Sequence, residues 1–212
     1  MNLNTTQKQQ SLDEIARELK DLREGELYKT ATQAVPGEGN PDTDILFIGE
    51  APGFFEDQIG RPFVGNAGKL LDKMLGTINL SRDDIFITNI IKHRPPENRD
   101  PSPEEIKIYS PFLKRQIHII EPKIIATLGR FSMNLFLPDM KISGAHGHSF
   151  QVGKYLIFPL YHPAAALRAG KILNELEQDF QKLKAVLNNY QNQPDDPAQS
   201  DENKNPVQEE LL

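Results

Sequence analysis

Residues 44–49 of this chain read DILFIG, and residues 50–64, which follow directly, read EAPGFFEDQIGRPFV. The first run is apolar and rich in β-branched side chains, which is typical of a strand buried on both faces of a sheet. The second run ends that strand in a Gly/Pro-shaped turn and adds carboxylates at Glu50 and Glu56 and an aromatic ring at Phe63. Such a turn can hold a planar ligand while a carboxylate acts beside it.

Three further apolar runs predict strands, at residues 84–89, 123–129 and 155–160. Helical patterns lie between and around them, at residues 11–23, 66–78, 103–120, 130–136 and 171–187. The third helix has a clear start, with Ser102 as the cap, Pro103 at the first helical position and acids in the first turn. The alternation predicts an α/β fold, a three-layer α/β/α domain around a central four-stranded parallel sheet.

Composition limits the class of protein. With 212 residues, 38% of them apolar, the chain can bury the core of one ordinary domain. It has no cysteine, which excludes disulfides and thiolate metal sites, and its five histidines lack metal-ligand spacing on one element, so no metal is expected. Neither a signal peptide nor a membrane span is visible, and we expect a cytoplasmic monomer.

The acidic charge is unevenly distributed. The net charge is −6, of which residues 189–212 carry −5, so residues 1–188 are close to neutral at −1. We predict a folded domain at 1–188 and a disordered acidic tail at 189–212. A domain that is nearly neutral overall can still have a basic face on part of its surface. Eight basic or polar side chains could form such a face and hold DNA phosphates, or they could be scattered surface charge. They are Lys92, Arg94, Arg99, Lys141, His146, His148, Arg168 and Lys171.

Polar side chains follow three of the predicted strands, where a parallel sheet forms its ligand crevice. Glu50 follows the first strand, Asn89 ends the second and His162 follows the last. Each also has an ordinary structural interpretation. Glu50 can cap a turn or pair with Arg61, Asn89 can close an Asx turn, His162 can be satisfied by backbone groups, and Phe63 can be core.

Taken together, these motifs resemble the uracil-DNA glycosylase superfamily, most closely its family 4 enzymes from bacteria and archaea. The matching pieces are GEAPG at 49–53 with ED at 56–57, GRPFVG at 60–65, TNIIKHRPP at 88–96 with NR at 98–99, and HPA at 162–164. The match covers roughly residues 22–187. The resemblance implies an enzyme of base-excision repair that flips uracil out of DNA, hydrolyses its N-glycosidic bond without a cofactor and leaves an abasic site.

The resemblance also implies roles for single residues. Phe63 would stack on the flipped ring and Asn89 would read its Watson–Crick edge, helped by backbone N–H groups near Ala51 and Phe63. Glu56 would lie against C5 of the base and exclude thymine. His162 would stabilise the uracil oxyanion and Glu50 would act beside the sugar. DNA contacts are expected from Lys92, Arg94, Leu167 and Arg168, with Leu167 as a wedge in the minor groove.

The chain departs from the family where most members bind an iron–sulfur cluster through four cysteines. Those positions correspond here to Leu22, Gly25, His93 and Ser110, so we predict no cluster. We expect apolar packing around Leu22 and Leu27, and hydrogen bonds from His93 and Ser110, to fill the vacated volume. His146 stands near the position where relatives tend to carry arginine, so DNA binding there would be weaker or would depend more on pH.

Two other functions are compatible with the sequence. The first is a non-catalytic sensor of uracil or damaged DNA with the same fold, which the intact set of Glu50, Asn89 and His162 disfavours. The second is a flavodoxin-like phosphate-binding module, which is disfavoured because residues 49–53 are not followed by a Gly-rich helix start.

Overall fold

Six strands form one mixed sheet in the computed structural model, which describes residues 3–191. In chain order they are β1 (Glu38–Gly39), β2 (Ile45–Gly49), β3 (Phe86–Asn89), β4 (Ile124–Leu128), β5 (Phe150–Val152) and β6 (Tyr155–Leu160). Their spatial order is β1-β3-β2-β4-β6-β5. The four central strands are parallel, and an antiparallel strand flanks them on each side.

The prediction of a four-stranded parallel sheet is therefore corrected to a six-stranded mixed sheet. The four predicted strands are the four central ones. The flanking strands β1 and β5 have only two and three residues, and both are partly exposed, so neither leaves an apolar run in the sequence.

Helices connect the strands. They are α1 (Thr5–Asp21), α2 (Leu27–Thr30), α3 (Phe54–Ile59), α4 (Asn66–Thr77), α5 (Pro103–Ile120), α6 (Arg130–Phe136), α7 (Ile142–Ala145), α8 (Pro163–Ala166) and α9 (Gly170–Gln191). No helix in residues 3–191 is long and apolar enough to cross a membrane.

Each central strand packs against a core on both faces of the sheet. Leu46 and Ile48 of β2 join one core, which also contains α1 and α5 side chains. Ile45 and Phe47 of the same strand join the second, in which Phe47 stacks on Phe180 of α9 at 6.2 Å between ring centroids. Burial on both faces explains why these strands are continuously apolar rather than alternating.

Two helix ends differ from the predicted ones by four residues or more. Helix α1 begins at Thr5 rather than at residue 11, because Asn4 and Gln7 exchange backbone and side-chain hydrogen bonds of 3.0 Å in a capping box. Helix α9 continues to Gln191, so the first three residues of the predicted tail are helical. The rest of that predicted tail, residues 192–212, lies outside the described residues.

Candidate active site

The carboxyl ends of the four central strands meet at one edge of the sheet and carry the candidate site. Asn89 is the last residue of β3 and pairs in register with Gly49 at the end of β2. Glu50 follows β2, and His162 follows β6 by two residues. Gly129, which follows β4, lies next to His162, since a Cβ there would be 3.1 Å from the Cβ of His162.

Asn89 presents an unsatisfied acceptor at this edge. Its side chain is 1% exposed, and its Oδ1 has no hydrogen-bond partner in the protein. A buried amide oxygen without a partner is costly, so this atom is suited to a ligand that brings a donor. Gly49 leaves the required space, because a Cβ there would come within 2.4 Å of Asn89 Oδ1 and 2.6 Å of the Phe63 ring.

The Phe63 backbone is held in an unusual conformation from two sides. Its φ is +53°, in the left-handed region that non-glycine residues rarely adopt. The Glu56 carboxylate accepts hydrogen bonds of 2.8 Å from the N–H groups of Val64 and Gly65. On the other side, the Arg82 guanidinium donates to the carbonyl oxygens of Pro62, at 2.9 Å, and Phe63. The aromatic ring is thereby fixed beside Asn89.

His162 has a defined tautomer. Its Nδ1 accepts a 3.1 Å hydrogen bond from the N–H of Ala164 at the start of α8, which leaves the hydrogen of a neutral ring on Nε2. Burial lowers the pKa of the imidazole to about 4, although the nearby Glu56 carboxylate opposes this. The ring lies 5.8 Å from the Phe63 ring, so a neutral N–H donor is available next to the aromatic face.

Glu50 is a carboxyl group with a raised pKa. Burial is the main cause, the negative charge of Asp100 adds to it and the positive charge of Arg130 opposes it, and the resulting pKa is about 7. Asp100 and Arg130 form an ion pair of 2.6 Å with each other. Arg130 directly follows Gly129, so this ion pair connects the Glu50 side of the site to the His162 side.

The predicted DNA-contact residues divide into two groups. Arg94 is partly exposed, and Leu167 and Arg168 are exposed at the end of α8, as a contact with DNA requires. The prediction that Lys92 contacts DNA is wrong, because its side chain is fully buried. The side-chain nitrogen of Lys92 donates to Thr88 Oγ1, Asn89 O and Gln116 Oε1 at 2.6–2.7 Å. Burial lowers the pKa of this group well below its usual value. Lys92 thus supports the β3 end from inside the core.

Three charged residues of the site were not expected from the sequence: Arg82, Asp100 and Arg130. Arg82 lies 19 residues beyond Phe63, in a short 3-10 helix with no pattern that points to the site. The sequence places Arg130 at the end of the third predicted strand, where the crevice lies, but no function was inferred for it.

Three of the family's four cysteine positions hold residues that do not suit an iron–sulfur cluster: Leu22, Gly25 and His93. A Cβ on Gly25 would lie 2.7 Å from a methyl group of Ile108, so an aliphatic side chain occupies that corner. Leu22 packs on the same core. His93 Nδ1 is 2.8 Å from the Tyr109 hydroxyl, and burial lowers the pKa of its imidazole. Within residues 3–191 there is also no cluster of three or more His, Asp or Glu side chains that could hold a metal ion.

His146, the second departure, is bound inside the protein. Its Nδ1 lies 2.5 Å from Asp179 Oδ2, and its ring lies 4.3 Å from the ring of Tyr161, the residue before His162. Asp179 is buried and also accepts a 2.9 Å bond from Lys182. His146 therefore packs beneath the strand that leads to His162.

Comparison with known proteins agrees with this geometry. The family model described as "Uracil DNA glycosylase superfamily" matches residues 36–187. A type-4 uracil-DNA glycosylase of Sulfurisphaera tokodaii is 49% identical over 187 residues, covering 83% of this chain and 84% of the relative. Proteins of the same name from Archaeoglobus fulgidus and Saccharolobus solfataricus are 46% and 48% identical, covering 82% and 84% of this chain and 92% and 87% of theirs. The chain belongs to the uracil-DNA glycosylase superfamily.

Proposed function

We propose that the protein is a monofunctional uracil-DNA glycosylase of the type-4 kind, which removes uracil from DNA and leaves an abasic site. The observation that carries the proposal is the unpartnered, buried Oδ1 of Asn89 beside the fixed Phe63 ring. This pair offers a planar, half-apolar site with a free acceptor, which fits the ring face and the N3–H of uracil.

Recognition begins when uracil leaves the base stack, at a cost of about a few kcal/mol. Its ring stacks on Phe63, and Asn89 Oδ1 accepts from N3–H while the Asn89 amide N–H donates to a carbonyl oxygen of the base. Backbone N–H groups near Ala51 and Phe63 assist. Because the backbone around Phe63 is anchored by Glu56 and Arg82, the site needs little rearrangement to receive the base.

The chemical step separates charge across the N-glycosidic bond. The bond between C1′ and N1 breaks, its electron pair goes to uracil, and the sugar becomes cationic. The His162 Nε2–H then donates to the uracil O2 that gains negative charge, and a neutral imidazole keeps that donor at physiological pH.

Glu50 acts on the sugar side. As a carboxylate it stabilises the cationic sugar and orients the water whose oxygen bonds to C1′ and whose proton leaves to the carboxylate or to solvent. Its raised pKa means that this form predominates only above about pH 7. A lyase step would need an accessible amine, and the Lys92 amine at the end of β3 is buried and bonded, so it is not free for that step.

Glu56 supplies discrimination against thymine. Its carboxylate is fixed by two backbone N–H groups and therefore forms a rigid wall rather than a flexible side chain. A 5-methyl group pressed against that wall would be excluded sterically and by the desolvation of the charge.

The DNA strand is held at the rim. Arg94 and Arg168 supply charge for phosphates, and Leu167, which is 52% exposed, fills the space that the flipped nucleotide leaves.

We propose that the protein works in the cytoplasm as a monomer, on uracil-containing DNA as its partner and without a cofactor.

An oligonucleotide assay tests the function. The full chain is incubated with a DNA strand containing one uracil, and abasic sites are then cleaved with alkali. Cleavage by wild type that is lost in Glu50→Gln and His162→Ala supports the enzyme. Tight uracil-dependent binding without any cleavage would identify the non-catalytic sensor instead.

A further inference from the structure

Two phenylalanine side chains lie largely in solvent at the start of α3. Phe54 is 51% exposed and Phe55 is 57% exposed, and their rings meet edge to face at 5.5 Å. Neither ring takes part in the recognition of uracil described above. An aromatic pair left in water beside a ligand site indicates a surface that becomes covered when the ligand binds.

The exposed pair adjoins the base site. Glu56 lies on the same short helix and binds the N–H groups of Val64 and Gly65, which follow Phe63. A Cβ on Gly65 would be 3.5 Å from a ring carbon of Phe55. The exposed rings therefore have a fixed position next to the loop that carries the Phe63 ring.

A cation approaches the pair from the neighbouring strand end. The guanidinium carbon of Arg94 lies 5.2 Å from the centroid of the Phe54 ring. Its Nε donates a 2.7 Å hydrogen bond to Asn98 Oδ1, which helps to hold the side chain in place. This contact joins the segment after β2, which carries Glu50, to the segment that follows Asn89 at the end of β3.

We propose that Phe54, together with Arg94, is a stacking site for an unpaired base adjacent to the flipped uracil in single-stranded DNA. This proposal rests on the proposed function, because it assumes that the bound strand contains uracil. An aromatic face binds any base through its π surface, and a guanidinium beside it adds stacking and attraction to the phosphate.

The size of the patch favours DNA over a protein partner. Two phenylalanine side chains bury about 150–250 Å² each at most, whereas a stable protein interface buries about 800 Å² on each partner. In a duplex the neighbouring bases stay paired and stacked on each other. The site is therefore available only when the strand around uracil is single-stranded, and its contribution should be specific to such substrates.

The site is tested by binding measurements in which the neighbouring base is removed from the DNA and the Phe54 ring is removed from the protein. The full chain is titrated with a single-stranded oligonucleotide that carries 2′-fluoro-2′-deoxyuridine, which resists cleavage, and either a purine or an abasic analogue on each side in turn. We expect wild type to bind the purine form about tenfold more tightly on one side, within the range known for base–aromatic stacking. Phe54→Ala should lose this difference, and Phe54→Trp should keep it.

The control is Ile59→Ala, which removes another exposed apolar side chain from the same helix and should behave as wild type. Phe54→Ala should also leave binding to a duplex with the same central nucleotide nearly unchanged. The site is disproved if Phe54→Ala binds every oligonucleotide like wild type, or if it loses affinity equally with and without the neighbouring base. The first result would leave the rings for a protein partner, and the second would indicate a structural defect.

The same experiments distinguish failure of the stacking site from failure of the proposed function. Uracil cleavage by wild type with no coupling between Phe54 and the neighbouring base would reject the stacking site alone. Intact coupling with no cleavage of an ordinary uracil oligonucleotide would keep the site and reject the enzyme.

Discussion

The guanidinium of Arg82 donates a hydrogen bond to the carbonyl oxygen of Phe63, whose backbone is in the left-handed region. The same side chain binds Pro62 O, Asp72 Oδ1 and Glu38 Oε1 at 2.7–2.9 Å. Two acids thus fix the orientation of a cation whose remaining donors hold the loop behind the aromatic ring. Under the proposed function, this relationship makes Arg82 a positioning residue for base recognition.

We therefore expect Arg82→Ala to lower kcat/KM for uracil DNA by about tenfold, since charge-assisted hydrogen bonds contribute roughly 1.5–3 kcal/mol each and water replaces part of that. Most of the change should be in KM and in weaker inhibition by free uracil. Arg61→Ala is the matched control, because Arg61 binds the same Glu38 at 2.6 Å without a hydrogen bond to the loop carbonyls. An equal loss of kcat/KM in both variants would mean that the effect comes from removing a positive charge near Glu38, not from the hydrogen bonds to the loop carbonyls.

Gly49 offers a second test of the base site. An alanine there would push into Asn89 Oδ1 and the Phe63 ring, so Gly49→Ala should abolish uracil release while circular dichroism stays native. Gly76→Ala in α4 is the control, since no atom beyond its chain neighbours and its own helix backbone lies within 4 Å of its added Cβ. That variant should keep full activity and gain about 0.5–1 kcal/mol in free energy of unfolding. Activity retained in Gly49→Ala would contradict the placement of uracil.

The raised pKa of Glu50 predicts the pH profile. Only the carboxylate stabilises a cation, so kcat/KM should rise with pH through about 7 and level off above it. Asp100→Asn removes a charge that raises this pKa, and the midpoint should move to lower pH. Arg130→Gln removes a charge that lowers it, and the midpoint should move to higher pH. Steady-state profiles of the three proteins would refute the assignment if both variants shifted in the same direction.

His162 should remain neutral far into the acid range. Its folded pKa of about 4 lies below the usual value of 6.5, so the unfolded chain binds more protons between these values. Stability that depends on His162 is therefore present above about pH 6.5 and is lost as pH falls toward 4. Nitrogen NMR of the ring should show the hydrogen on Nε2, and His162→Gln should reduce the acid sensitivity of the melting temperature. Titration of His162 near pH 6.5 would rule out a permanently neutral donor.

The His93–Tyr109 contact should matter for stability rather than for catalysis. Tyr109→Phe leaves a buried imidazole nitrogen without its partner, at a cost of about 1–3 kcal/mol in free energy of unfolding. Chemical denaturation measures that loss, and the uracil-release assay should give near wild-type rates. A loss of activity without a loss of stability would place this pair in the catalytic site instead.

The sequence predicts the centre of this fold better than its edges. Central strands such as β2 carry apolar side chains on both faces, and this pattern is visible in the chain itself. The short helix α3 was missed because its six residues are mostly polar or exposed and follow a Gly/Pro turn. Strand β1 was missed for a related reason, since its pairing with β3 depends on backbone hydrogen bonds rather than on an apolar pattern.

The candidate site shows the same division. Asn89 and His162 follow buried strands, and the topology of a parallel sheet brings strand ends together whatever the intervening chain. Lys92 was assigned to the surface because it stands in a basic run, but Thr88 and Gln116 receive its ammonium inside the core. Contacts between distant segments, such as Arg82 with Phe63, leave no local pattern and become visible only in three dimensions.

The corner that Ile108, Tyr109 and His93 occupy has a consequence for how the protein matures. If the protein lacks a cluster, as the sequence predicts, these side chains complete this part of the domain from the polypeptide alone, with no iron delivery and no assembly machinery. The same corner contains no thiol for peroxide to oxidise. Under the proposed function, uracil release should then be unaffected by iron starvation and by peroxide.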